Sequence, residues 1–417
     1  MRQKKAITRE LKERYNKANK KQKTKILDEF TALTGYNRCY ASWILKIKKE
    51  KVIGYMTSEG KRLKFVIEKK KKKKRKKPKV YGYDVFLALR KIWMVCDYIC
   101  GKRLAPFMPE IVKKLEHCKE IDITPNVREK LLKISASTID RLLKPVKDRY
   151  RLGKGRKGTK PRTLLKNAIP VKTFSDWDDK KPGFLEVDLV GHDGGNPSGD
   201  FIQSLNFTDI ATCWDVTVAC KNKAQKHVFS GIKTAQDRFP FPFKGIDSDN
   251  GSEFINAHML RYCTENKITF TRSRPYKKND SCFVEQKNYS VVRRAVGYLR
   301  YDTDEELDIL NELYVYLDLY TNYFQPVVKL TSKTRIGSKV IKKYDTAKTP
   351  FRRVLECPYI DDKIKEKLRN KYEELNPAEL KRKITKFQDK LLKLNTLKQK
   401  VRKDLSINEK YYEYVYT

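Results

Sequence analysis

The chain has 417 residues, of which 39% are hydrophobic, and a formal net charge of +43. That apolar content, with 24 Tyr and 18 Phe, excludes a disordered polycation, and no apolar run approaches the roughly 20 residues of a bilayer span. The start MRQKKAITRELKERY lacks the apolar core of a secretory signal, and nine scattered Cys fit a reducing compartment, so a soluble, multidomain protein that meets a polyanion is expected.

Residues 1–60 read as helices. Ile26, Phe30 and Leu33 share a face, Gly35 interrupts, and Ala41, Ile44, Leu45 and Lys48 resume the period. This pattern fits a helix-turn-helix DNA-binding domain or an ordinary two-helix hairpin. Residues 61–80 read as a basic linker ending in KKKKKKRKKPK, a tether lying along DNA. A nuclear address and an anionic-membrane patch are the alternatives.

Residues 81–150 form a second helical block, with Val85, Leu89, Ile92 and Cys96 in helical period and Ile111, Leu115 and Cys118 more weakly so. Its last segment, ISASTIDRLLK, offers Ser135 or Ser137 as a cap and Ile139, Leu142 and Leu143 as an inner face. The outer face carries Thr138, Asp140, Arg141 and Lys144, residue types that contact phosphates and base edges, so a second DNA-binding domain is expected here. Cys96, Cys100, His117 and Cys118 lack a standard zinc spacing and are read as structural thiols.

After a Gly-, Lys- and Pro-rich linker at 151–180 the period changes to two. Strands are predicted at 184–190, 201–210, 212–220, 243–249 and 268–273, and helices at 223–239, 252–267 and 282–299. Three strands able to form a meander, then alternating helix and strand, indicate an α/β layer over 181–305 with a mixed five-stranded sheet. Residues 184–300 hold 16 Lys+Arg and 13 Asp+Glu, a net of +3, so the other +40 lies in the flanks. The C-terminal region, 306–417, is basic and of mixed or helical type. It has a helix over ELDILNELYVYLDLYTNYF, a small β unit over KLTSKTRIGSKVIKKYDT, and a long helix from an Asn-Pro start. In that helix Leu380, Ile384, Phe387, Leu391 and Leu394 form a seam for self-association or, the preferred reading, for packing on its own domain.

Three acids carry the chemistry. Asp188 sits mid-strand between Leu and Val, Asp249 ends the fourth strand, and Glu285 opens a helix. A carboxylate in such apolar company is costly unless paired or bound to a metal, and acids at strand ends and on a covering helix can converge on Mg2+. Two such ions activate the attacking oxygen and stabilise the leaving one in a displacement at phosphorus. Asp247 and Glu253 are read as non-ligands, and Asn250 and Gly251 as turn formers. Asn288, one turn beyond Glu285, faces DNA, a neighbouring site group or solvent. His192 after the first strand reads as a bystander before a site residue. Arg272, Arg274, Lys277 and Lys278, in the loop RSRPYKKND before the Glu285 helix, suit phosphate contacts.

A strand Asp followed by Leu-Val-Gly, then DNGSEF, thirty-five residues between Asp249 and Glu285, and Asn288 beyond: this series resembles the catalytic core of retroviral integrases and of bacterial insertion-sequence transposases. The resemblance covers about 184–300. It implies an RNase H-like fold and a DDE triad of Asp188, Asp249 and Glu285 holding two Mg2+ (or Mn2+). It also implies cleavage at the ends of a mobile element, followed by attack of the freed 3′-OH on target DNA. The implied partners are double-stranded DNA, as terminal inverted repeats and as target, and further copies of the chain in a homodimer or higher oligomer. The implied location is a prokaryotic cytoplasm, at the nucleoid, with no membrane. The paired His and Cys of the family's zinc-binding N-terminal module are not found in residues 1–80. A nuclease that cuts without joining and a non-catalytic DNA-binding regulator that keeps the fold are the alternatives.

Overall fold

A computed structural model describes residues 2–46, 52–58, 61–66, 80–149, 181–248, 251, 253–254, 256–272, 282–336 and 339–416. The chain divides into two compact units, Met1–Pro78 and Lys79–Thr417.

In the first unit, helices α1 (Arg2–Lys17), α2 (Lys20–Thr34) and α3 (Arg38–Lys46) precede a hairpin of β1 (Val52–Ser58) and β2 (Lys61–Val66). Asn19 starts α2 with a capping box, its side chain accepting the Gln22 N–H while the Gln22 side chain accepts its own. Gly35 ends α2 at φ 65°, the left-handed conformation that glycine adopts without strain, and a short turn leads into α3. Leu11, Tyr15, Ile26, Phe30, Ala41 and Leu45 form the core. Leu33, expected on the inner face, is 58% exposed, because α2 packs through the i, i+4, i+8 row of Ile26, Phe30 and Thr34. Lys61–Val66, read from sequence as the start of a linker, is a strand paired antiparallel with β1. The lysine run at 67–79 lies outside the described residues.

The second unit begins with α4 (Tyr83–Val95), α5 (Gly101–His117), α6 (Pro125–Leu132) and α7 (Ala136–Arg149). Ser135 is the cap of α7, its Oγ accepting the Thr138 N–H, and Ile139 and Leu143 are fully buried. Asp140, expected to face outward, instead accepts the Gly101 N–H at the start of α5 and pairs with Lys147.

Five strands follow: β3 (Phe184–Gly191), β4 (Gln203–Asp209), β5 (Asp215–Cys220), then β6 (Gly245–Ser248) after α8 (Gln225–Arg238), and β7 (Thr269–Arg272) after α9 (Ala257–Glu265). They form the expected mixed sheet in the order β5-β4-β3-β6-β7, antiparallel across β5, β4 and β3 and parallel across β3, β6 and β7. Next comes a continuous helical stretch of α10 (Cys282–Lys287), a π-helical turn (Asn288–Arg293) and α11 (Arg294–Val296). The chain closes with α12 (Asp304–Phe324), a hairpin of β8 (Leu330–Ile336) and β9 (Lys339–Tyr344), α13 (Pro350–Glu356), α14 (Asp362–Glu374) and α15 (Pro377–Tyr416).

Helix α12 closes the β5 edge of the sheet. An edge strand leaves N–H and C=O groups unpaired, and α12 supplies side chains for them. Asn322 accepts the Asp215 N–H and donates to its carbonyl, Asp318 accepts the Thr217 N–H, and Asn311 does for Ala219 what Asn322 does for Asp215. The 81–150 block is not a compact unit of its own. One apolar core runs from Val85 to Leu391, Lys114 Nζ donates to the Glu373 carbonyl (3.0 Å), Arg352 pairs with Glu110 (2.8 Å), and Asn376 donates to Glu120 (2.7 Å). The seam of α15 is used inside this unit: Leu380, Ile384 and Leu391 are buried in the same core, and Asn376 caps the helix as its Asn-Pro start predicted.

Candidate active site on the polar face of the central sheet

Side chains alternate across a strand, so residues two apart share a face. The register therefore puts Glu186, Thr208 and Asp215 in one row with Asp247 and Thr271, and Asp188, Asn206 and Thr217 in the next. Most of this polar row is buried: Glu186, Asp215 and Asp247 are each 1% exposed, Asn206 and Thr217 0%. Their polar atoms are joined to one another. Thr208 donates to Asp215 (2.7 Å), Thr271 to Asp247 (2.7 Å) and Thr217 to Asn206 (3.1 Å). Burial pushes the Asp215 carboxyl up, opposed by the Lys287 ammonium and by the Thr208 hydrogen bond.

Helix α10 and the π-helical turn lie on this face, packed on β3 and β4. Val284, Lys287, Val291 and Val292 point inward, and Glu285 is exposed. Asn288, at the start of the π turn, joins helix to sheet: it accepts from Asn206 Nδ2 (3.1 Å) and donates through Nδ2 to Asp188 Oδ2 (2.7 Å). Asp188 is half-buried, and its Oδ1 accepts the Leu189 N–H (2.8 Å). Residues three apart on a helix share a flank, so Glu285 lies one turn from the residue that touches Asp188. π turns are rare and recur at functional sites.

The donor chemistry suits a hard divalent cation: carboxylate oxygens, one on a strand and oriented by an amide donor, one exposed on the covering helix. Among the described residues no three His, Cys, Asp or Glu side chains group as a metal set. Asp249, the third expected member, lies outside the described residues, as do Arg274, Lys277 and Lys278. Its neighbour Ser248 pairs with Val187, the residue before Asp188.

The other candidates separate. Arg272 ends β7 and is 7% exposed, so it belongs to the sheet rather than to the basic loop. Arg141 and Lys144 are exposed on α7. His192 is fully buried, its Nε2 2.7 Å from Ser204 Oγ, which in turn bonds Tyr314, and its ring stands edge-on to Tyr301. Cys96 is buried, Cys100 exposed and Cys118 half-buried, and none belongs to a metal-binding group among the described residues. Sequence reasoning missed Glu186, Asn206 and Lys287. Glu186 and Asn206 were readable only as strand positions in phase with Asp188, and Lys287 only as one basic residue among many.

Residues 178–278 match the family model described as integrase core domain. The uncharacterized protein y4rM of Sinorhizobium fredii (strain NBRC 101917 / NGR234) is 38% identical over 347 residues, spanning 83% of this chain and 93% of that protein. Among solved structures, the HTLV-2 integrase catalytic core domain in complex with magnesium (dimeric form) is 14% identical over 35% of this chain and 90% of its own, with TM-score 0.27. A simian T-cell lymphotropic virus intasome in complex with the PP2A regulatory subunit B56 gamma is 16% identical over 48% and 65%, with TM-score 0.29. The chain belongs to one family with y4rM, and its residues 178–278 carry an integrase core domain.

Proposed function

We propose that this chain is a DDE transposase, which binds the ends of its mobile element and catalyses DNA strand cleavage and strand transfer. The observation that carries this reading is the joining of Asp188 on β3 to Asn288 on the helix of Glu285, inside the matched integrase core. Asp188, Asp249 and Glu285 hold the metals. Two Mg2+ (or Mn2+), when bound, supply Lewis-acid stabilisation of the attacking and leaving oxygens at phosphorus. Asn288 turns the Asp188 carboxylate toward the face on which Glu285 stands. The exposed Arg141 and Lys144, together with Arg274, Lys277 and Lys278, neutralise DNA phosphates. The first unit and the helices α4–α7 read the terminal repeats, and a homodimer or higher assembly brings two ends together in the cytoplasm, at the nucleoid.

The test is Mg2+-dependent nicking and joining of labelled duplexes that carry the element's terminal repeats. The wild-type chain gives nicked and strand-transfer products, and Glu285→Gln gives neither while binding the same DNA. Nicking without joining would indicate a nuclease. Activity retained in Glu285→Gln would sink the triad, and binding with no chemistry in the wild-type chain would favour a regulator that keeps the fold.

A further inference from the structure

We propose that Glu186 is a positioning residue: its buried carboxylate clamps the N-terminus of α10 to β3 and so sets where Glu285 stands beside Asp188. Glu186 Oε2 accepts the N–H of Phe283 (2.8 Å) and of Val284 (3.1 Å). Those amides belong to the first turn of the helix, where donors have no intrahelical partner, and a negative charge at that end is favoured by the helix dipole.

The second pin is Asn288 on Asp188, and the two pins are in register. Glu186 and Asp188 are two residues apart on one face, about 6.8 Å along a strand. Val284 and Asn288 are four apart, about 6 Å along a helix. The helix therefore runs alongside β3 with matched rise, held at both points, and Glu285 falls between them. One pin would let the helix pivot or slide, whereas two fix the height and rotation of the Glu285 side chain.

A plain cap does not require this arrangement. The Phe283 N–H goes to an acid 97 positions earlier in the chain, on a strand of the central sheet. That acid is 1% exposed, in register with the equally buried Asp247 and two residues from Asp188. Between Leu185 and Val187, an apolar residue would bury at less cost. A carboxylate kept there against the cost of burial, with two helix amides on one oxygen, fits a need for a fixed helix.

This inference rests on the proposed metal-dependent activity, and the experiment separates the two. Amide hydrogen exchange of the segment 282–290 is measured in the metal-free full chain, and the Mg2+ concentration giving half-maximal nicking is measured with terminal-repeat DNA, for Glu186→Ala, Glu186→Gln and Glu285→Gln. Glu186→Ala is expected to speed exchange in this segment but not in β4 or β5, and to raise the half-saturating Mg2+ about tenfold. Glu186→Gln, which keeps an acceptor oxygen without the charge, falls between Ala and wild type, and it carries the test should Glu186→Ala fail to fold. Unchanged exchange overturns the clamp. Faster exchange with an unchanged Mg2+ requirement overturns it too, leaving Glu186 an ordinary cap. Should Glu285→Gln keep nicking, the proposed triad fails, and the exchange data still decide whether Glu186 holds the helix.

Discussion

The two faces of the central sheet are made by the same five strands from opposite chemistry. One face presents Leu185, Val187, Leu205, Phe207, Val216, Val218 and Ile246, and α8 adds Val228, Ile232 and Ala235 to the same core. The other presents Glu186, Asp188, Asn206, Thr208, Asp215, Thr217, Asp247 and Thr271. Burying the first gains free energy roughly in proportion to area, and small errors of packing are what it tolerates least. The second gains little from burial and depends on pairing its polar atoms, since each buried group left unpaired costs about 1–3 kcal/mol. An apolar second face would be the more stable solution. That the chain keeps acids there fits the proposed function, with stability on one side of the sheet and chemistry on the other.

This division can be broken in either direction. Phe207, fully buried on the apolar face against Phe243, should be the costlier loss to the fold: Phe207→Ala is expected to destabilise the second unit by about 3–5 kcal/mol. Urea unfolding measures that loss, and the rate of nicking per folded molecule should stay as it was. Asn288→Ala should do the reverse. With Asp188 the proposed metal ligand, removing the amide that orients it is expected to lower nicking about 10–100-fold. Its cost in stability should be only about 1 kcal/mol, from the Asn206 amide left without its acceptor. If Phe207→Ala lowered the intrinsic rate as much as Asn288→Ala, the two faces would not be separate in function.

How much of this was legible depended on whether a signal is local. Asp188 could be read because an acid between Leu and Val in a period-two run violates its surroundings, and the five strands because alternation belongs to each strand alone. The seam and cap of α15 were readable for the same reason. Glu186 breaks the same strand pattern two residues earlier, but its role depends on a helix end nearly a hundred positions away. The same distance hid the union of residues 81–150 with the core, since helical period reveals a buried face and not what covers it. Lys61–Val66 was lost in the lysine run because net charge masked its alternation.

The polar face also has a closed end, where α12 covers it, and there the rule of paired polar atoms is tested by pH. His192 bonds Ser204 through Nε2, with Tyr314 beyond, Tyr301 against its ring and the Arg293 guanidinium close by. Burial, then the Arg293 charge, push its pKa down from 6.5 to about 3. The unfolded chain thus binds a proton to His192 below pH 6.5 while the folded chain refuses it until about pH 3. Stability must then rise with pH across that window and fall on acidification, by about 1.4 kcal/mol per pH unit from this one group once below 6.5. At pH 5 the loss amounts to about 2 kcal/mol relative to neutral pH. His192→Gln keeps a polar contact for Ser204 and removes the titration. Urea unfolding of both proteins from pH 7 to pH 4 should therefore show wild type losing stability faster, the gap changing by that amount between pH 7 and pH 5. Parallel curves would mean that His192 is protonated in the folded chain, and that the closed end admits a charge its geometry should exclude.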